Sequence, residues 1–139
     1  MIGYIEGDIK IVFPKSQQIL LACGNLGFLV KIPAFEIQSL LRAGAPYRKR
    51  IELYTSMIVK ETEISLYGFS YLEEKNMFEL LLSAKGIGPS TALRIISEIT
   101  VEQCEEAIKT QNTKVFTSVS GIGEVTAQNI CSIKLKDVQ

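Results

Sequence analysis

The chain of 139 residues has no histidine and three cysteines. Without imidazole it lacks the usual general base and the commonest zinc ligand. Cys23, Cys104 and Cys131 are far apart and form no C-x-x-C pair, which argues against a structural metal site. Their odd number fits reduced thiols. No Gly-Lys-Ser/Thr phosphate loop is present, so no ATP site is expected. Ser83 and Ser118 have no histidine to activate them. Glu73-Glu74 and Glu105-Glu106 read as exposed helix faces rather than acid/base pairs. No apolar run approaches the about 20 residues of a membrane span. The start, Met1-Ile2-Gly3-Tyr4-Ile5-Glu6-Gly7, lacks a basic region followed by an apolar stretch. These absences predict a soluble, cytoplasmic, non-catalytic protein with no cofactor, no metal and no membrane partner.

Charge of either sign in excess is also missing: 15 Lys+Arg face 15 Asp+Glu. Residues 1–69 hold eight basic and six acidic residues, and residues 70–139 hold seven and nine. Any nucleic-acid contact must therefore come from local geometry and backbone groups, since no basic footprint is available. Apolar residues make up 47%, enough for a real core, so disorder is excluded.

The first half reads as strands. Ile2, Tyr4, Ile9, Ile11 and Phe13 have period-2 spacing, with Gly7 breaking the phase as at a bulge or bend. Residues 19–22 and 28–32 flank a glycine-rich turn, Cys23-Gly24-Asn25-Leu26-Gly27. Pro33 to Arg42 suits one or two helical turns, closed by Ala43-Gly44-Ala45-Pro46. Residues 50–58 and 64–69 alternate again around a polar tip at residues 59–63. Five or six strands with one helical insert fit a small Greek-key barrel of the oligonucleotide/oligosaccharide-binding (OB) type over residues 1–69. Phe13, Phe28, Phe35, Tyr47, Tyr54, Phe69 and Phe78 are expected in the core, and Arg48-Lys49-Arg50 at a solvated tip.

At Ser70 the period changes. Ser70-Tyr71-Leu72-Glu73 and Thr100-Val101-Glu102-Gln103 both spell capping boxes, and residues 70–139 read as all-helical. Within them lies an internal repeat. Residues 85–95, Lys-Gly-Ile-Gly-Pro-Ser-Thr-Ala-Leu-Arg-Ile, align with residues 120–130, Ser-Gly-Ile-Gly-Glu-Val-Thr-Ala-Gln-Asn-Ile, at an offset of 35. Each copy follows one helix and opens another, the form of a helix-hairpin-helix. Glycines allow left-handed backbone and remove side chains that would hold a phosphate away. The next helix then offers unpaired N–H groups and a partial positive dipole. Such contacts read shape rather than bases. The candidate DNA-binding residues are Lys85, Gly86, Gly88, Ser90, Gly121, Gly123 and Thr126.

These residues, with Met1-Ile2-Gly3, Leu26-Gly27-Phe28-Leu29-Val30 and Leu66-Tyr67-Gly68-Phe69, resemble the RuvA family along essentially the whole chain. The resemblance implies an OB barrel followed by a helical domain with tandem hairpins. It further implies a tetramer or octamer that holds four-way (Holliday) junction DNA in recombination and repair. The implied protein partners are the RuvB branch-migration motor and a RuvC-like resolvase. It places an acidic pin at the tip before β-segment 64–69, here Glu61 and Glu63 with Thr62 between them. Carboxylates there would repel phosphates at the crossover.

Three departures stand against the family pattern. Ser90 replaces a usual lysine, Glu124-Val125 replaces a lysine pair, and Asn129 stands where a basic residue is expected. The resemblance also implies a third, motor-binding domain, and the sequence given stops at Gln139, where the second domain is expected to end. Two rivals remain. One is a hairpin DNA glycosylase using Asp137, for which the two hairpins behind a barrel leave no larger helical body. The other is a tetrameric interaction scaffold whose hairpins have weakened DNA binding.

Overall fold

Alternating side chains carry five strands among the described residues: β1 (Tyr4–Phe13), β2 (Gln18–Cys23), β3 (Leu26–Lys31), β4 (Arg50–Val59) and β5 (Ile64–Phe69). The structure is a computed structural model that describes residues 1–44 and 49–135. The strands close in the order β1-β2-β3-β5-β4, with β4 returning to β1. Their pairings are antiparallel except for β3 with β5, where Val30 meets Leu66 and Lys31 meets Tyr67 in parallel register. Among the described residues the closed order leaves no strand at a sheet edge. Inside lie Ile9, Ile19, Leu21, Val30, Ile32 and Leu53, and α1 (Ala34–Arg42) adds Ile37 and Leu40 to the same core. Tyr47 and Arg48, read from sequence as core and tip residues, lie outside the described residues, as do Ala45 and Pro46 and, at the other end, Asp137.

The phase of β1 differs from the sequence reading. Its inward residues are Ile5, Gly7 and Ile9, while Tyr4 and Ile11 are 45% and 43% exposed. Gly7 continues the inward row rather than breaking it. The register shift falls between Ile9 and Ile11, opposite Leu21 and Leu20, so Lys10 is the bulged residue. Gly7 is there for close approach: a Cβ would run into the Ala22 carbonyl oxygen. That oxygen belongs to a paired strand and cannot step aside. Gly7→Ala is expected to destabilise the barrel by about 1–3 kcal/mol, read as a lower denaturation midpoint at unchanged slope. An unchanged midpoint would mean that β1 and β2 separate more easily than their pairing implies.

The remaining described elements are helices: α2 (Leu72–Leu82), α3 (Pro89–Glu98), α4 (Val101–Thr110), α5 (Thr113–Thr117) and α6 (Glu124–Cys131). The chain divides into two units, Met1–Lys75 and Asn76–Gln139, and the division falls inside α2. The second capping box is formed: Thr100 accepts from the Gln103 N–H, and the Gln103 side chain accepts from the Thr100 N–H. The first is not how Ser70 is used. Its hydroxyl donates to Glu36 of α1 at 2.7 Å, and the Tyr71 carbonyl accepts from the Glu74 and Lys75 N–H groups as α2 begins. A partner 34 residues away outcompeted the local one.

The helical unit buries a second core, with Met77, Phe78, Leu81, Ile95, Phe116 and Ile130 fully enclosed. No helix among the described residues is long and apolar enough to cross a membrane. Cys104 and Cys131 are buried and Cys23 is half-buried; all three are free thiols. Burial pushes the Cys104 thiol up to about 12 and raises the other two as well. Brief alkylation of the native protein near pH 8 should therefore mark Cys23 first, with Cys104 and Cys131 reacting only on unfolding. Native labelling of Cys104 at the rate of Cys23 would show that the helical core opens freely.

Candidate nucleic-acid interface

Both glycine repeats fold into the same turn. Gly86 and Gly121 each take φ +89°, the left-handed region that favours glycine. Ile87 and Ile122 follow, 7% and 6% exposed, anchoring their turns in the core. Their N–H groups donate to the Ala84 and Val119 carbonyls, both at 3.2 Å. Gly88 and Gly123 then cap α3 and α6 with extended backbone, φ −97°, ψ 175° and φ −89°, ψ 176°. Ala92 and Ala127 donate back to those glycine carbonyls, both at 2.9 Å, and both are fully buried. The buried pairs Leu81/Phe116, Ala84/Val119, Ile95/Ile130 and Ile96/Cys131 keep the 35-residue offset. A duplicated sequence has given a duplicated structure.

The second glycine of each turn is the informative one. Its backbone suits any residue, and a Cβ on Gly88 or Gly123 would meet nothing within 4 Å. The fold does not require glycine at either place. Neither α3 nor α6 has a side-chain cap, whereas α4 in the same unit is fully boxed. The first-turn N–H groups of a helix have no intrahelical acceptor. Two helix starts are thus left uncapped and unobstructed, each behind an exposed turn, a backbone arrangement suited to an anion.

The side chains around these turns differ in what they touch. Lys85, Ser90, Glu124 and Val125 are exposed, Val125 by 72%. Pro89 gives α3 a ready-made first turn but no N–H. Thr126 is half-buried, and its Oγ1 lies 3.6 Å from where a Gly86 Cβ would be, so it packs on the first turn. Asn129 is not a lost cation standing idle: its Nδ2 donates to the Lys85 carbonyl at 3.0 Å. Arg94 and Ser120, not singled out from sequence, are joined in the same manner, Arg94 Nη1 donating to the Ser120 carbonyl at 2.8 Å. A cleft of about 700 Å³ beside the first turn has Lys85, Asn129 and Lys134 on its wall.

In the barrel unit, Glu61 and Glu63 stand exposed on the tip between β4 and β5. The Lys60 N–H donates to the Glu63 carbonyl at 2.8 Å, closing the turn. Lys60 Nζ also lies 3.9 Å from the Glu63 carboxylate, with both side chains more than half exposed. That pair is weak, and among the described residues Glu61 forms no ion pair. Of the basic run, Arg50 pairs with Glu6 at 2.8 Å and reaches Asp8 at 3.8 Å. The Arg50 hydrogen bond holds the Glu6 carboxyl below the usual carboxylate range. Among the described residues no group of three or more His, Cys, Asp or Glu could hold a metal ion.

A closed OB-type barrel followed in the chain by a tandem of helix-hairpin-helix turns defines the class of the protein. Residues 1–68 match the RuvA N terminal domain, and residues 78–137 match the SAM-like helix-hairpin-helix tandem. Similarity along most of the chain agrees: it is 36% identical over 131 residues to a Holliday junction branch migration complex subunit RuvA from Staphylococcus epidermidis, covering 94% of this chain and 62% of that protein. A RuvA subunit from Moorella thermoacetica is 36% identical over 137 residues, 99% of this chain and 63% of that protein. One from Thermodesulfovibrio yellowstonii is 34% identical over 130 residues, 94% of this chain and 65% of that protein. The chain is thus similar to RuvA subunits along nearly its whole length, and it spans a little under two thirds of the length of the curated relatives it matches.

Proposed function

We propose that this chain binds four-way junction DNA in homologous recombination and repair, as a non-catalytic subunit that targets a RuvB-type branch-migration motor. The observation that carries the reading is the pair of uncapped helix starts behind Gly86-Ile87-Gly88 and Gly121-Ile122-Gly123, each built with a glycine the fold does not need. Lys85, Gly86, Gly88, Ser90, Gly121 and Gly123 line the two turns, with Thr126 bracing the first. Contacts made by backbone N–H groups select a DNA shape and not a sequence. Glu61, supported by Glu63, is the proposed pin at the crossover, keeping strands apart by repelling phosphates. A cytoplasmic location follows from the same role.

The test is a gel-shift titration of a synthetic four-way junction against linear duplex of equal length. Preferential retention of the junction is expected; equal or absent binding to both would overturn the reading. Junction recognition by this architecture also needs several copies arranged around the crossover, and a closed homotetramer, which two such tetramers would turn into an octamer, is the expected form. Light scattering should give about four chains per particle, or about eight. A strictly monomeric particle with and without junction DNA would count against it.

A second reading, a tetrameric interaction scaffold with weakened DNA binding, draws on one specific feature. The second hairpin's helix opens with an exposed carboxylate, Glu124, and a 72% exposed Val125. The same gel shift separates the two, since the scaffold should bind junction and duplex equally poorly.

A further inference from the structure

Arg94 and Asn129 occupy the same position in the two repeats, eight residues after the first glycine of each turn. Each reaches out of its own repeat. Arg94 of α3 donates to the Ser120 carbonyl ahead of the second turn, and Asn129 of α6 donates to the Lys85 carbonyl ahead of the first. Lys85 and Ser120 are themselves equivalent positions. The helix of each hairpin therefore clasps the turn of the other, in a reciprocal pair that fixes the two turns relative to each other.

The two halves of this clasp differ in where the positive charge sits. At the first turn the residue before Gly86 is a lysine and the clasping side chain is a neutral amide. At the second turn the residue before Gly121 is a serine and the clasping side chain is a guanidinium. Arg94 is exposed, and its Nη1 would stand only 2.8 Å from a Cβ on Gly121, so the cation lies directly against that turn. One of the five N–H donors of a guanidinium is used on Ser120, and the group keeps its full charge.

We propose that Arg94 is the phosphate-facing cation of the second hairpin, lent across the pair by the first repeat, and that it also positions the second turn through Ser120. On this account the second turn, whose own helix begins with Glu124 and Val125, keeps one positive charge, as the first does in Lys85. The inference rests on the reading that both turns face DNA phosphate.

The experiment is a salt titration of four-way-junction binding for the wild type, Arg94→Asn and the double variant Arg94→Asn with Ser120→Lys. Asparagine already makes this clasp at the equivalent position, so Arg94→Asn keeps the hydrogen bond and deletes the charge; Arg94→Gln serves if the shorter amide lowers the melting temperature. The single variant should melt with the wild type, bind more weakly at low salt, and lose about 0.9 from its log-affinity versus log-salt slope for each hairpin that engages. Ser120→Lys, which rebuilds the first repeat's arrangement in the second, should restore both affinity and slope. A merely structural role would move the melting temperature and leave the slope alone. Wild-type slope and affinity in Arg94→Asn, with junction binding intact, would overturn the proposal while leaving the junction reading standing. A wild type that binds no junction would overturn both, and its own flat titration would reveal that case.

Discussion

Replacing Gly88 and Gly123 together with Asp is expected to leave the protein at least as stable as before while abolishing junction binding. Both glycines are helix N-caps in extended backbone that any residue adopts, and neither would press a Cβ against a neighbour. Aspartate is among the best N-caps: its carboxylate accepts from first-turn N–H groups and complements the helix dipole, gaining a few tenths of a kcal/mol over glycine. The helices therefore stay or tighten. Junction binding loses twice, because the carboxylate takes the donors a phosphate would use and then repels that phosphate. A charge-assisted hydrogen bond is worth about 1.5–3 kcal/mol, so each blocked turn should cost on the order of tenfold to a hundredfold in affinity. Thermal melts beside a junction gel shift give the answer. Retained binding in a protein of unchanged melting temperature would remove these two turns from the interface. A large drop in melting temperature would instead show that the open space around the glycines is needed by the fold.

The two hairpin turns were the most legible part of the sequence because their signal is local and written twice. Gly-Ile-Gly at one offset, with alanine and isoleucine at matching distances, specifies a turn whose geometry depends on a handful of adjacent residues. The structure repeats it down to 3.2 Å and 2.9 Å hydrogen bonds in both copies. The barrel was legible for a similar reason, as period-2 apolar spacing marks strands such as β2, where Ile19 and Leu21 are buried and their neighbours are not. What escaped were features decided by distant partners. The bulge at Lys10 leaves no mark in composition, so Ile9, Ile11 and Phe13 read as one period-2 row although Ile9 is buried and Ile11 is exposed. Ser70 spells a capping box, yet its hydroxyl goes to Glu36. Asn129 reads as a missing cation when set against a family pattern, but its partner is a carbonyl 44 residues away. Arg94 is hidden for the same reason: only the fold brings it to the other repeat's turn. The aligned repeats differ at this position, Arg94 against Asn129, and only the folded tandem shows that both side chains reach the other repeat's turn.

Replacing Glu124 and Val125 with Lys should tighten junction binding at low salt and make it fall more steeply as salt rises. Both side chains are exposed on the first turn of α6, directly after the uncapped Gly123. A phosphate seated at that helix start has a carboxylate beside it and an apolar side chain where a cation could stand. The double substitution exchanges one repulsion for two attractions and leaves Gly121, Ile122 and Gly123 as they are. Some stability is given up, because an acidic residue at a helix N-terminus favours the dipole and a basic one opposes it, by about 0.3–1 kcal/mol at an exposed position. Binding and stability should thus move in opposite directions. Each added phosphate contact releases counterions and adds about 0.9 to the magnitude of the log-affinity versus log-salt slope, so the variant should steepen by one to two units for each hairpin that engages. The gain should be larger on a four-way junction than on linear duplex, since a junction presents several arms to several subunits at once. If affinity and slope match the wild type on both DNAs, the second hairpin does not approach phosphate. The scaffold reading would then gain for that half of the tandem, and any junction preference would have to come from the first turn and the tip at Glu61.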